Sequence, residues 1–178
     1  MIEYEYYDWT SLISPKQMDE MKNDIDYLIS SGSYWTNSPP YQTNINIFSL
    51  PKDYWINLKM SFIWSCFAYM QQEKQIKSVK SWAYRTNKAT QEDRNTYWHQ
   101  HTRENNLVLS GVYYLDVPGP LKETAGTEFA PDGPEAEGLI QAPAKIGNWI
   151  IFPGKSWHRP GELHSSEDRY IVAADMEI

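Results

Sequence analysis

Cysteine is almost absent from this chain, and long apolar runs are absent altogether. The single Cys66 excludes an internal disulfide and indicates a reducing compartment. No stretch reaches the roughly 18 apolar residues that a membrane helix needs. Met1 to Asp8 carry acidic side chains where a secretory signal would be basic. We therefore expect a cytoplasmic protein without a membrane span.

Positive charge is also scarce. The chain has 16 basic and 23 acidic residues, which gives a net charge of -7. Nucleic acid and anionic lipid attract basic surfaces, so we expect neither as a partner. Internal repeats and low-complexity tracts are missing as well. At 178 residues, the chain is long enough for one domain with a substantial core.

The first part of the chain is patterned for helices. Ser14 followed by Pro15 is typical of a helix start, and apolar residues then recur at helical spacing, so we predict a helix over residues 15 to 31. Residues 53 to 77 contain no Gly or Pro and predict a second, longer helix. We interpret residues 1–80 as a helical support layer.

After residue 80 the pattern changes to short β-rich runs separated by turn residues. Six strands are predicted, at residues 81–85, 97–101, 107–117, 127–129, 147–152 and 169–175. Such a series is typical of a sandwich or jelly roll. We therefore expect a single domain over residues 1–178, mainly β with an α layer. Residues 81–178 would form a double-stranded β-helix (jelly roll, cupin-like), backed by the N-terminal helices.

All four histidines lie in the β-rich part. His99 and His101 are two residues apart in a strand pattern, so both side chains are predicted on the same face of the sheet. Two neutral imidazoles on one face suit iron, zinc or copper. An HxH pair alone is equally typical of structural or surface histidines.

Two further residues of the β-rich part draw attention. His158 follows an apolar strand that ends at Pro153, and Arg169 opens another apolar strand. A buried arginine is costly unless an anion pairs with it, so Arg169 predicts an anionic ligand or a surface ion pair.

Four short motifs resemble, in order, those of the 2-oxoglutarate/Fe(II)-dependent oxygenases. They are WHQH at 98–101, LSGVYYL at 109–115, NWIIFP at 148–153 followed by WH at 157–158, and Arg169. The pattern is most similar to the prolyl-hydroxylase-like branch and its small bacterial and phage-type relatives. The resemblance covers about residues 82 to 178.

In that family, a His-x-Asp/Glu pair and a distal histidine hold the metal, and an arginine binds the far carboxylate of 2-oxoglutarate. The resemblance therefore implies that His99 is the first metal ligand, that His158 is the distal ligand and that Arg169 binds the co-substrate. Tyr114 resembles the tyrosine that contacts the same carboxylate in prolyl hydroxylases.

The sequence departs from the family pattern at position 101, which has His in place of Asp or Glu. His101 could complete a three-histidine iron site, which is the arrangement that we favour. Glu104 in the following loop could supply the carboxylate instead. Alternatively, His101 could be the first ligand, with Arg103 in the position of the acid. Loss of activity is a fourth interpretation.

The resemblance implies a dioxygenase that requires Fe(II) and binds 2-oxoglutarate and O2. Such an enzyme hydroxylates its substrate and releases succinate and CO2. A peptidyl proline or another protein side chain is the first substrate class that it suggests, and a small metabolite is the second.

Two other functions are compatible with the same residues. One is a cupin-type metalloprotein or dioxygenase in which three histidines hold the metal without 2-oxoglutarate. The other is a non-catalytic sandwich module that binds a partner through its aromatic side chains. Arg169 separates the first alternative from the oxygenase, because only the oxygenase gives it a dicarboxylate to bind.

Overall fold

Two β-sheets and a helical layer make up the part of the chain that the computed structural model describes, namely residues 3–31, 41–92, 97–103, 107–119 and 123–178. The helices are α1 (Pro15–Ser30), α2 (Asp53–Met70) and the short α3 (Lys88–Glu92), with a 3₁₀ turn at Ile47–Ser49. The strands are β1 (Glu5–Asp8), β2 (Ser78–Thr86), β3 (Val108–Asp116), β4 (Thr127–Phe129), β5 (Ile140–Ala142), β6 (Asn148–Pro153), β7 (His158–Pro160) and β8 (Arg169–Glu177).

The strands form a larger sheet in the order β1-β6-β3-β8-β2 and a smaller sheet in the order β5-β4-β7. Every pairing between these strands is antiparallel. Neighbouring strands in the larger sheet are distant in sequence, as in a jelly roll. The predicted mainly-β jelly roll with an α layer is confirmed.

Local sequence explains where the two long helices begin and end. At the start of α1, Ser14 and Gln17 form a capping box that satisfies two backbone amides. α2 ends at Met70, several residues before the predicted end, because Gln71 adopts a left-handed conformation with φ 55°. No helix in the described ranges has the length and apolar character to cross a membrane.

The strand predictions differ from the structure in two ways. Residues 97–101 do not form the predicted strand, and an isolated bridge joins His99 to His158. Three strands, β1, β5 and β7, were not expected from the sequence, since each has only three or four residues. β1 pairs with β6, so the first 80 residues contribute a strand to the larger sheet as well as helices.

Alternation along the long strands divides the core into two layers. In β3, Leu109 and Tyr113 pack with the helices, whereas Val112 and Tyr114 face the smaller sheet. The same alternation in β8 places Arg169 on the inner face of the larger sheet, against a cavity enclosed by the two sheets. The helices thus support the outer face of the larger sheet, and the inner face remains for a site.

The smaller sheet offers a test of this packing at Gly126, immediately before β4. A Cβ at this position would lie well inside van der Waals contact with the backbone carbonyl oxygen of Ala142. We therefore expect Gly126→Ala to lower the free energy of unfolding by about 2–3 kcal/mol in urea denaturation.

Gly119→Ala is the matched control. Gly119 has φ +44° and open space around it, so the added methyl should cost only about 1 kcal/mol of backbone strain. Equal costs at the two positions would contradict the close approach of β4 and β5.

Candidate metal centre

The candidate centre begins with a backbone contact between two histidines. His158 opens β7, and its amide and carbonyl groups exchange hydrogen bonds of 3.1 Å with those of His99. Two residues later, the amide of His101 donates to the carbonyl of Gly154 at 2.7 Å. The chain from 97 to 103 therefore runs antiparallel to the turn that precedes β7.

These contacts bring the imidazoles of His99, His101 and His158 together. One ring nitrogen from each lies within 4.8 Å of the corresponding nitrogen of the other two. The ring centroids are 4.2 Å apart for His99 and His158, 5.0 Å for His101 and His158, and 5.1 Å for His99 and His101. All three residues named by the motif comparison are thus in one cluster.

Hydrogen bonds at Nδ1 determine the tautomer of each histidine. The partners are the carbonyl oxygen of Tyr97 for His99 at 3.1 Å, the carboxylate of Asp175 for His101 at 2.7 Å and the carbonyl oxygen of Ser156 for His158 at 2.8 Å. Each partner only accepts hydrogen bonds, so Nδ1 must carry the proton. In the neutral form, every Nε2 then carries the lone pair that a metal requires.

Burial keeps one of these histidines neutral. His158 is 5% exposed and contacts the ring of Phe152, at a centroid distance of 4.7 Å. Desolvation lowers the pKa of His158 to about 3, and the nearby His99 acts in the same direction, against the hydrogen bond to Ser156. A neutral imidazole is the form that binds metal ions.

The donor set fits a transition metal. Three neutral imidazole nitrogens suit Fe(II), Zn(II) or Cu(II), whereas Ca²⁺ and Mg²⁺ prefer oxygen ligands. Each ring also donates its other N–H to a backbone carbonyl or a carboxylate, which is the usual arrangement for a metal-binding histidine. The cluster can therefore bind iron.

Arg169 lies on the wall of the same cavity. Its side chain is buried, and the residue is 2% exposed. One terminal nitrogen donates to the carbonyl oxygens of Ala125 at 2.7 Å and Gly161 at 3.1 Å. These hydrogen bonds hold the guanidinium in place from the side of the smaller sheet.

Tyr114 is close to this arginine. Its hydroxyl shares a 2.7 Å hydrogen bond with the hydroxyl of Thr127. Burial raises the pKa of Tyr114 to about 12, although the hydrogen bond to Thr127 and the charge of Arg169 both act in the opposite direction. The phenol therefore stays protonated at neutral pH.

One cavity connects the histidine cluster with Arg169 and Tyr114. Its volume is about 340 Å³, and apolar or aromatic side chains form most of the wall. The described residues of that wall include no Asp or Glu. The cavity thus brings together three histidines that could hold a metal ion and the buried guanidinium of Arg169.

The two alternative arrangements at position 101 involve Arg103 and Glu104. Arg103 lines a separate, smaller cavity together with His101 and Asp175, and it does not line the cavity that His99, His101 and His158 share. The geometry therefore favours His99 over Arg103 as the partner of His101. Glu104 lies outside the described residues. The remaining histidine, His164, is exposed and contacts Glu162 at 3.0 Å.

Sequence reasoning missed Asp175 and Ser110, which contact His101. Ser110 donates to Asp175 at 2.7 Å, and Asp175 accepts from His101. One signal could have identified the aspartate. Arg169 and Asp175 are six positions apart in one strand, which places both on the inner face of the sheet.

Comparison with known proteins gives structural relatives only. No family model and no curated protein matches the sequence. The non-heme alpha-ketoglutarate-dependent epimerase SnoN of nogalamycin biosynthesis superimposes with a TM-score of 0.66 at 14% identity, over 97% of this chain and 77% of that chain. EvdO2 from Micromonospora carbonacea var. aurantiaca, complexed with 2-oxoglutarate, gives 0.64 at 12% identity, over 98% and 85%.

A third relative is a prolyl hydroxylase from Trichoplax adhaerens in complex with a fragment of hypoxia inducible factor. It superimposes with a TM-score of 0.66 at 10% identity, over 97% of this chain and 82% of that chain. The chain has the fold of the 2-oxoglutarate-dependent oxygenases. The superpositions establish the shared fold. At these low identities they do not identify the reaction or the substrate of this chain.

The depressed pKa of His158 predicts how stability depends on pH in the metal-free protein. Below about pH 6.5 the unfolded chain protonates His158, whereas the folded chain does so only near pH 3. The unfolded state then binds more protons, so this contribution to stability is present above pH 6.5 and is lost as the pH falls toward 3. Between pH 6.5 and 5, the free energy of unfolding of the wild type should fall by about 1–2 kcal/mol more than that of His158→Gln. Urea denaturation at each pH measures this difference.

Above pH 7 the free energies of unfolding of the two proteins should change in parallel with pH, because His158 is then neutral in both the folded and the unfolded wild type. Parallel curves between pH 6.5 and 5 as well would contradict a buried, neutral His158.

Proposed function

We propose that this chain is an Fe(II)- and 2-oxoglutarate-dependent oxygenase with a three-histidine metal site, and that residues 1–178 form a single catalytic domain. The main support for this proposal is that the histidine cluster and Arg169 line the same cavity. His99, His101 and His158 converge on one part of its wall, and the buried Arg169 lies on another. A cupin-type metal site without 2-oxoglutarate would have no use for this arginine.

Each residue has a role in this proposal. The Nε2 atoms of His99, His101 and His158 would hold the metal, and Arg169 with Tyr114 would bind the far carboxylate of 2-oxoglutarate. The planar guanidinium of Arg169 would make charge-assisted hydrogen bonds with that carboxylate. Bound iron and 2-oxoglutarate would supply the oxidative chemistry, with succinate and CO2 as co-products.

The apolar wall of the cavity would exclude water from the reacting groups. Trp82 and Tyr84 line it from β2, and Phe152 lines it from β6. Hydroxylation of a protein side chain or a small metabolite is the reaction that we propose. Epimerisation is the second candidate, because the epimerase SnoN has the same fold. Fold similarity alone does not choose between the two reactions.

The direct test is turnover of the purified protein with Fe(II), O2 and 2-oxoglutarate. Succinate should form in the presence of iron, and its amount should rise when the correct peptide or metabolite is added. Mass spectrometry of that substrate separates the reactions, because hydroxylation adds one oxygen atom and epimerisation leaves the mass unchanged. Metal binding without 2-oxoglutarate binding would favour the cupin-type alternative.

Substitution of the histidines tests the metal ligands. His99→Ala and His158→Ala should each abolish stoichiometric iron binding, because two ligands remain in each variant. His101→Asp should retain iron, because it restores a carboxylate ligand. Metal analysis after anaerobic reconstitution measures the occupancy. If His101→Ala keeps full occupancy while Glu104→Ala loses it, Glu104 is the third ligand and His101 is not.

Substitution of Arg169 tests the co-substrate site. Arg169→Gln should weaken 2-oxoglutarate binding by about 2–3 kcal/mol, or roughly 30- to 150-fold, because the charged contact is lost. Arg169→Lys retains the positive charge but lacks the planar fork of donors. Its 2-oxoglutarate affinity should therefore lie between those of the wild type and Arg169→Gln. Anaerobic calorimetry measures the affinity.

Arg85→Gln is the control, because Arg85 binds Asp26 at 2.9 Å and does not line the cavity. Its 2-oxoglutarate affinity should equal that of the wild type. Unchanged affinity in Arg169→Gln would exclude the role of Arg169.

A further inference from the structure

We infer that Asp175 is a positioning residue that holds His101 in place as a metal ligand. Asp175 is not itself a ligand in this inference, but it would supply the negative charge that is missing at position 101. The inference rests on the proposed function, since it assigns a partner to one of the proposed ligands. It concerns Asp175 and Ser110, for which the sequence pattern suggested no role.

The first support is the register of the larger sheet. Ser110 of β3 and Asp175 of β8 are directly opposite each other in the antiparallel ladder. The hydroxyl of Ser110 donates to Oδ1 of Asp175 at 2.7 Å. The carboxylate is therefore held by a neighbouring strand, and its position does not depend on a flexible loop.

The second support is the contact with His101. Nδ1 of His101 lies 2.7 Å from the same Oδ1 and 3.2 Å from the Ser110 hydroxyl. Side chains at both ends of the contact are about four-fifths buried, with 21% exposure for His101 and 22% for Asp175. A carboxylate at this distance requires the proton on Nδ1 and therefore orients the lone pair of Nε2 toward His99 and His158.

The three proposed ligands differ in this respect. At Nδ1, the backbone carbonyls of Tyr97 and Ser156 accept from His99 and His158, whereas the carboxylate of Asp175 accepts from His101. A carboxylate partner makes an imidazole a more basic ligand than a carbonyl partner does. His101 occupies the position at which the resembled family has Asp or Glu. Asp175 would thus restore the missing negative charge one imidazole ring away from the metal.

Metal binding tests this inference without turnover. Metal-free protein is titrated with Co(II), with visible absorption and a competing chelator as readouts. Asp175→Ala should weaken Co(II) binding by about 10- to 100-fold, the usual range for loss of such a partner. Asp175→Asn should have a smaller effect, because its carboxamide oxygen can still accept from Nδ1 but carries no charge.

Glu177→Gln is the matched control. Glu177 lies two residues further along the same strand and accepts from Ser78 at 3.0 Å. Its removal should leave Co(II) affinity unchanged. Equal losses in Glu177→Gln and Asp175→Ala would indicate a general effect of strand charge and would overturn the inference.

A second readout requires no metal. In ¹⁵N-histidine NMR spectra of the metal-free protein above pH 8, wild-type His101 should show the Nδ1–H tautomer. In Asp175→Ala, the signal should shift toward the Nε2–H tautomer, which is the commoner form of a free imidazole. A His101 that stays Nδ1–H in Asp175→Ala, or wild-type Co(II) affinity in that variant, would overturn the inference.

A double substitution separates the inference from a purely structural role. When His101→Asp places a carboxylate in the ligand set, Asp175→Asn should no longer weaken Co(II) binding, because no imidazole remains to be oriented. An equal loss in both backgrounds would contradict the inference. A wild-type protein that binds no metal would refute the proposed function, and the NMR signal would still decide whether Asp175 orients His101.

Discussion

The antiparallel contact between residues 97–103 and the start of β7 is the constraint on which the rest of the site depends. Two reciprocal amide–carbonyl hydrogen bonds between His99 and His158 join residues that are far apart in sequence. The amide of His101 extends the contact to Gly154. Without this pairing, three imidazoles could not share one space, and their Nδ1 partners would not direct the lone pairs inward.

Burial and hydrogen bonding define the electrostatics of the cluster. Desolvation keeps His158 uncharged, and a carbonyl or carboxylate at each Nδ1 leaves Nε2 as the nitrogen that could bind a metal. A site made of three imidazoles has one negative charge fewer than a site with two imidazoles and a carboxylate. In our account Asp175 compensates for that difference at a distance, while Arg169 provides the positive charge that a dicarboxylate requires.

Much of this fold could be predicted from the sequence, because the long elements have clear local signals. Apolar residues at helical spacing indicated α1, and β-rich runs bounded by turn residues indicated β3 and β8. The segment 97–103 did not form a strand, since it bonds to a turn and to the end of a sheet. Short strands such as β1 and β7 depend on tertiary pairing and have little local signal.

The site residues likewise include some with a local sequence signal and some that depend on tertiary contacts. Motif order indicated His99, His158 and Arg169, and the structure places all three on one cavity. The contact of Asp175 with His101 could not be predicted, because it depends on the register between β3 and β8 and on a loop bonded to Gly154. Neither relation is visible from local sequence spacing.

X-ray absorption spectroscopy at the iron edge measures how many histidines bind the metal. Protein reconstituted with one equivalent of Fe(II) under anaerobic conditions is measured with and without 2-oxoglutarate, and the imidazole scattering counts the histidine ligands. We expect three imidazoles per iron in both states, with additional oxygen ligands from the co-substrate when it is added. Two imidazoles together with a protein carboxylate, or iron without imidazole ligands, would contradict this expectation.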